Sequence, residues 1–597
     1  MLFCVFCLYL RFCTGSAGVR FVTLREDTVV INLTKARHLN IGILLTLACL
    51  VSFGAHAQSL SEHEKLIKQG LDRLKEQTAP LKQRPDVRLQ RPESAITDFS
   101  KLEDSEQCFD ISVIHVEGGN KLDPEVITET TKPFVEQCLG LSKINALVGA
   151  ISNLYLEQGY VTSRAYIAPQ DLSDGSLELV VVEGVIEGFD SVDGSITPQQ
   201  LSWAFPAQPG DVLNIRALEH GIENLNSVAQ NNSRVDLTPG KEQGGTLVAI
   251  TNQLARSWRG SLGLNNNGVP STGEYQLDGN LVFDNVLGLN DTSFLSASTN
   301  IGKHDLPHAE SRSYAASWSI PVGYWQFSVN SNYYAYEQVV EGNALNFAIS
   351  GSSLNSGLEL GRNVYRSQTG KLDLTLGFIR KDSENYIEDI FLETSSRTLY
   401  VWDLAANYRH FLPQGTLNLS AGIVKSVPWF GAKRQVVAAE DDYQFTKYRL
   451  NIGFNTDFEL AGQPLLYRAS ADFLYSPKVI LASEGLTVGG RYSVRGLSQS
   501  SLFGYKGGYF RNDISMPAQT GWPVLSQQQY FFGLDAGWSN LPEYPDKSSE
   551  WVAGSVVGVK FFDNDFSLTL SYARALRVPD FLPQKQQEID VSVRFNF

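Results

Sequence analysis

One arginine set among glycines carries the most pointed chemistry in this 597-residue chain. Arg495 lies in Gly489-Gly490-Arg491-Tyr492-Ser493-Val494-Arg495-Gly496-Leu497, ahead of Gly504-Tyr505-Lys506-Gly507-Gly508. A guanidinium cannot shed its charge, so burying it requires an acidic partner held by a rigid element. The segment Tyr530 to Trp538 offers one, because a two-residue period puts Gly533, Asp535 and Gly537 on one face, with room at the glycines for an approaching loop. Enzymatic constellations are missing from the pattern. His63, His115, His220, His304, His308 and His410 are scattered, and His304 and His308 flank Asp305-Leu306-Pro307, a loop rather than a helix face that could present a metal pair. The glycine-rich stretch 485–508 lacks the Lys-Ser/Thr of a phosphate loop. No catalytic residue, cofactor or metal is predicted.

The cysteines report the compartment. Cys4, Cys7, Cys13 and Cys49 fall in an N-terminal part that processing discards, leaving Cys108 and Cys138. Two cysteines in an exported chain most simply form one disulfide, with two free buried thiols as the alternative. Export is predicted from Ile41 to Phe53, an apolar run preceded by Lys35, Arg37 and His38 and followed by Ala55-His56-Ala57. This reads as a secretory signal peptide cut after Ala57, with residues 1–30 an upstream extension. The net charge of -15 argues against nucleic acid, which requires a basic face.

Few charges, many glycines and abundant tyrosine suit β-structure with turns. From residue 258 to the end apolar and polar residues alternate: Tyr275, Leu277, Leu281 and Phe283 against Gln276, Asp278, Asn280 and Asp284, and finally Ile589, Val591, Val593, Phe595 and Phe597 against Asp590, Ser592, Arg594 and Asn596. A soluble sandwich alternates too. An apolar face rich in aromatics, the export signal and a terminal phenylalanine favour a transmembrane barrel, whose strands must close on themselves because lipid satisfies no backbone donor. Roughly 340 residues at about 20 per strand and connection allow about 16 antiparallel strands.

Ahead of this region, Ser59-Leu60-Ser61-Glu62-His63-Glu64 offers capping boxes for an amphipathic helix over 59–77, and the proline-containing stretch 78–105 reads as an extended, hydrated linker. Residues 108–183 predict a β-α-α-β-β unit, with a strand over 111–117, helices over 123–135 and 142–158, and strands over 163–168 and 176–183. A second unit, 184–257, repeats the order, with helices near 198–205 and 214–229 and strands near 234–237 and 246–251.

The arginine loop resembles the signature loop of the Omp85 superfamily, specifically the transporters of two-partner secretion, whose Val-Arg-Gly-Phe/Tyr tip folds back into an outer-membrane barrel and meets an acidic strand residue. Here the tip is Val494-Arg495-Gly496-Leu497, and Leu497 replaces the aromatic. The phrase Gly159-Tyr160-Val161-Thr162-Ser163-Arg164-Ala165-Tyr166-Ile167-Ala168-Pro169-Gln170-Asp171-Leu172 resembles the first POTRA domain of the same transporters, and Phe597 resembles an outer-membrane assembly signal. The chain is similar to the haemolysin secretion and activation family.

That resemblance implies a domain order: extension and signal peptide 1–57, plug helix 58–77 in the barrel lumen, linker 78–107, POTRA units 108–183 and 184–257, and barrel 258–597. It implies that Arg495 pairs with Asp535, either as a switch or as pure architecture. The implied task is to recognise an unfolded TpsA-type exoprotein of the haemolysin, adhesin or haem-binding class in the periplasm and to pass it through the barrel. Outer-membrane lipid and, during biogenesis, the barrel assembly machinery are the other implied partners. An Omp85-type assembly factor and a passive porin are the alternatives.

Overall fold

The computed structural model describes residues 65–73, 75, 86–89, 107–302, 309–340, 346–393, 395–432, 444–497, 500–519, 526–542, 548–584 and 586–597. The extension, the signal peptide, both ends of the expected plug helix, most of the linker and the His304/His308 loop lie outside them.

Residues 108–182 form the first α+β unit. Asp123 accepts from the Glu125 N–H and Pro124 occupies the first turn, so a helix starts there and runs Pro124–Thr131. It ends four residues short of expectation because Pro133 cannot continue it, and the chain tightens into the 3-10 turn Lys132–Phe134. The expected strand 111–117 is instead two, Cys108–Ile111 and Val113–Glu117, serving different sheets. An unpredicted strand, Gln137–Gly140, pairs with the first, with Asp110 opposite Cys138. This pairing brings the cysteines together: Cys108 and Cys138 are disulfide-bonded with Cα atoms 5.3 Å apart. The second sheet runs Val113–Glu117, Ser176–Val182, Arg164–Ile167 in spatial order. The helix Leu141–Glu157 packs Ile144, Leu147, Ile151 and Tyr155 into its core.

A disulfide closing a loop of 30 residues removes chain entropy from the unfolded state. Replacing both cysteines by serine is expected to destabilise this unit by about 3 kcal/mol, read as earlier protease cleavage of the unit in the full chain. Two free thiols in a mass map of the native protein would refute the bridge.

The second unit contains Val185–Ser191, which the sequence pattern did not reveal, then helices Pro198–Ala204 and Ile215–Leu225 and strands Asn231–Pro239 and Gly245–Leu254. Thr197 and Gln200 form a reciprocal capping box at the first helix, and Asn214 caps the second. The second helix stops at Leu225, short of the expected 229.

Sixteen antiparallel strands then close a barrel, from Trp258–Asn265 to Gln587–Asn596, with the short strand Ile390–Phe391 extending one hairpin. Register follows the alternation: Gln276, Asp278, Asn280 and Asp284 are buried inside, whereas Leu277, Leu281 and Phe283 face outward. At the closure the N–H groups of Gly260 and Phe597 each donate to the other's carbonyl, at 2.9 and 3.0 Å. The Phe597 ring lies 6.2 Å from that of Trp258.

Candidate functional site in the barrel lumen

The glycine-rich segment forms a hairpin inside the barrel. Leu486–Val488 pairs with Leu502–Gly504, and the tip between them is folded by Gly490 N–H to Val494 O at 2.9 Å and Gly489 N–H to Ser493 Oγ at 2.8 Å. Gly496 has φ of 92°, and a Cβ there would sit 2.4 Å from the Arg574 carbonyl carbon, so both conformation and wall contact demand glycine. Val494 and Leu497 are buried beside Val488, Leu502, Leu541 and Val552. Leucine thus fills an apolar socket at the position where the resembling family carries an aromatic.

Arg495 reaches the wall. Its Nε donates to Asp535 Oδ2 at 2.6 Å, its Nη2 to Asp535 Oδ1 at 2.7 Å, and its backbone N–H to the same carboxylate at 3.1 Å. A second carboxylate, Asp513 on the adjacent strand Lys506–Gln519, forms an ion pair with Nη1 at 2.8 Å, which the sequence reading missed. The side chain of Asp535 has no exposed surface, so the forked pairing offsets a large desolvation cost. The expected face is present: a Cβ at Gly533 would lie 2.5 Å from Arg495 Nη2, and one at Gly537 2.5 Å from Val488 Cγ1.

Two further anchors hold the loop. On its rising arm Glu484 is clasped by Lys381 Nζ at 2.6 Å and Lys447 Nζ at 2.7 Å, while Arg397 donates to Ser483 Oγ at 2.7 Å. At the tip, Arg491 pairs with Glu588 and Asp590 of the last strand. The alternation places Lys381 and Lys447 on lumen positions. Nothing local marks Glu484 or Arg491 as their counterparts.

Residues 65–73 form a helix within the same lumen. Leu66 and Ile67 are buried against Tyr334 and Tyr336, with Leu71 beside them, and a Cβ on Gly70 would meet the Tyr334 ring at 2.6 Å. Lys65 sits 5.0 Å from the centre of the Phe503 ring on the returning arm, which links helix and loop. Around both remains a cavity of about 1190 Å³.

The second α+β unit docks on three barrel turns. Asn290 exchanges hydrogen bonds with Gln200; Gly323 donates to Trp203 O at 2.7 Å and accepts from Asn224 Nδ2 at 2.8 Å. At the third turn Arg366 donates to Glu219 at 3.1 Å and to Glu223 at 2.9 Å, while Lys371 bonds Glu223 at 3.3 Å. Burial pushes the Glu223 carboxyl up, but the cations of Arg366 and Lys371 outweigh it and hold the group down at about 2. A depressed carboxyl contributes stability that is complete above its ordinary value of 4.5 and is lost as pH falls through about 2, so this clasp stays charged across the physiological range.

The linker departs from expectation here. Val87 and Leu89 donate backbone N–H groups to Glu223 and Glu219, both at 2.9 Å, and Val87 O accepts from Arg366 at 2.7 Å. The four described linker residues carry no regular secondary structure and are pinned between barrel and second unit rather than free in water.

The match to known proteins follows this geometry. The model of the haemolysin secretion/activation protein ShlB/FhaC/HecB matches residues 244–561, a ShlB-type POTRA domain matches 109–184 and a further POTRA domain 185–239. The outer membrane transporter CdiB of Escherichia coli is 28% identical over 545 residues, covering 90% of this chain and 91% of its own. The hemolysin transporter protein ShlB of Serratia marcescens is 29% identical, covering 80% and 82%. The solved structure of CdiB from Escherichia coli superposes with a TM-score of 0.79 at 27% identity, over 90% of this chain and 98% of that one.

Proposed function

Because the chain belongs to the haemolysin secretion/activation family and is an outer-membrane protein with periplasmic POTRA domains, we propose that it exports a large, unfolded TpsA-type exoprotein through its barrel. The observation that carries this reading is the arrangement of the lumen: a docked periplasmic unit lies at the entrance of a barrel filled by a helix and a loop, each attached through side chains that can let go. A passive porin has no use for such parts. An assembly factor for other barrels has no use for a linker pinned at the entrance.

Capture falls to the first POTRA unit. Its strands Val113–Glu117 and Arg164–Ile167 are the outer members of their sheet among the described residues, and Tyr166 is 54% exposed and Ile167 38%. An extended segment of cargo can add to such an edge through backbone hydrogen bonds, with apolar side chains for specificity. Helix 65–73 and the Arg495 loop then withdraw. Folding of the cargo outside supplies direction, since no nucleotide is available in the periplasm. Phe597, paired with Gly260 at the closure, serves during insertion as the end that the assembly machinery reads.

Co-expression with a large open reading frame encoded beside this gene tests the proposal. The exoprotein should accumulate in the medium only when this chain is present. Retention in the periplasm in the presence of this chain, or changed levels of unrelated outer-membrane barrels, would favour the other readings.

A further inference from the structure

The outward face of the barrel carries a cluster of side chains for which passage through the lumen has no use. Five aromatic rings meet there: Phe378, Tyr400 and Trp402 on the paired strands Gly370–Ile387 and Arg397–Leu412, and Trp429 and Phe430 just past the strand Gly415–Val427. The centre of the Phe378 ring lies 4.7 Å from that of Trp402 and 6.2 Å from that of Trp429, and Phe430 lies 5.4 Å from Tyr400. Trp429 and Phe430 belong to no strand, yet the chain turns them back onto the wall, with the Ala432 N–H donating to Trp429 O at 3.0 Å. Phe430 remains 74% exposed at a φ of 51°, an unusual conformation for a bulky residue.

Height sets the surroundings. Trp402 stands ten residues above Leu412, whose turn lies at the end of the barrel where Arg409 pairs with Asp86 of the linker. At about 3.3 Å per residue and a tilt of about 35 to 45°, those residues climb about 23 to 27 Å, against an apolar band about 25 Å tall. The cluster therefore sits at the outer boundary of the hydrocarbon, where headgroups begin.

Cations stand among the rings at this level. Register sets Arg380 opposite Tyr400, Lys425 opposite Trp402 and Lys506 opposite Tyr475, all at outward positions. Lys506 Nζ lies 5.6 Å from the centre of the Tyr475 ring, and Arg380 is 55% exposed with its fork oriented by Asp382 at 2.7 Å. A basic patch runs against a chain whose net charge is -15. Nor does it encircle the barrel: on the strands Glu310–Val322 and Trp325–Val340, at a comparable height, Glu310 opposes Glu337 at outward positions. An aromatic girdle that merely anchors a barrel runs all the way round it. This patch is one-sided and basic.

We propose that this face binds the phosphorylated glucosamine headgroup of lipid A, the glycolipid of the outer leaflet. Guanidinium and ammonium groups suit its phosphates, and ring faces such as those of Trp429 and Phe430 suit the apolar faces of its sugars. A glycerophospholipid offers phosphate without sugar rings, so the aromatic half of the site would go unused. The site goes beyond the export reading and rests only on the outer-membrane location.

Native mass spectrometry of the folded full chain, released from detergent with one added lipid at a time, tests the assignment. Bisphosphorylated lipid A should be retained several-fold more than lipid A stripped of its phosphates, and several-fold more than phosphatidylglycerol. Arg380→Gln, Lys425→Gln and Lys506→Gln combined should lower that retention about five-fold or more, and Trp429→Ala with Phe430→Ala should lower it to a similar extent. Arg312→Gln, on the acidic side of the rim, should leave it unchanged. Should the triple variant fail to insert, the pair beyond the strand decides the matter. Secretion of a co-expressed exoprotein should persist in the variants that insert, which separates this site from the export reading. Equal retention of the dephosphorylated lipid would leave only an apolar girdle, and equal retention of phosphatidylglycerol only a charged surface. Either result, or unchanged retention in the variants, would overturn the proposal.

Discussion

Arg495→Ala is expected to lower secretion by an order of magnitude or more while outer-membrane level and heat-modifiable mobility stay near those of the parent. The substitution leaves Asp535 buried without its cation and Asp513 without its partner. Removing one member of a buried pair typically costs about 3 to 5 kcal/mol, because the survivor keeps an uncompensated charge. That loss falls on the placement of the loop. The barrel survives it, since its sixteen strands are closed by backbone bonds independent of Arg495. Asp535→Ala should be the milder lesion, because Asp513 still faces the guanidinium at 2.8 Å. In the double variant a coupled pair gives a secretion defect well below the sum of the singles. Strict additivity, or full secretion by Arg495→Ala, would leave the loop a structural element only.

Deleting residues 58–77 is expected to raise single-channel conductance in planar bilayers several-fold, with insertion unimpaired. A helix with its side chains is about 10 to 12 Å across, and barrels of 16 to 18 strands leave an aqueous channel when nothing fills them. Here the helix occupies that space, seated on Tyr334 and Tyr336. Leu66, Ile67 and the approach at Gly70 seat it on Tyr334 and Tyr336, Leu71 packs beside Val282, Phe294 and Ala315, and Lys65 lies over the face of Phe503 on the loop. Conductance equal to that of the intact chain would place the helix elsewhere in the membrane-embedded protein.

Combining that deletion with Arg495→Ala separates the two obstructions. The helix and the loop line the same cavity, so each blocks part of one path, and their removal should raise conductance by more than either alone. The pinned linker sets a limit on the helix's excursion. Residues 86–89 are held by Glu219, Glu223 and Arg366, which leaves the ten residues 76–85 between helix and clasp, a length of about 33 to 36 Å if fully extended.

The amino-acid sequence by itself determined which residues face lipid and which face the lumen, because strand side chains alternate and Leu277, Leu281 and Phe283 cannot change sides without moving Asp278 and Asp284 into the bilayer. The two α+β units likewise rested on local periods, whereas the order of the parts and the pairing of the loop arginine with its aspartate were expected from the resemblance of short motifs to a known family. Cys108 and Cys138 were left as the two cysteines of the exported chain, with a bridge the simplest outcome and two free thiols the alternative, because the strand Gln137–Gly140 that aligns them was invisible. Tertiary structure alone decided the rest. Arg366 meets Glu219 across 147 positions, Arg491 meets Asn267 across 224, and Lys447 meets Glu484 across 37. A charged residue at a lumen position records only that it points inward. Its partner depends on how far each strand is staggered against the next, on how deeply the loop descends and on the angle at which the second unit docks. Those quantities are settled by many weak contacts at once, so no single stretch of chain carries them.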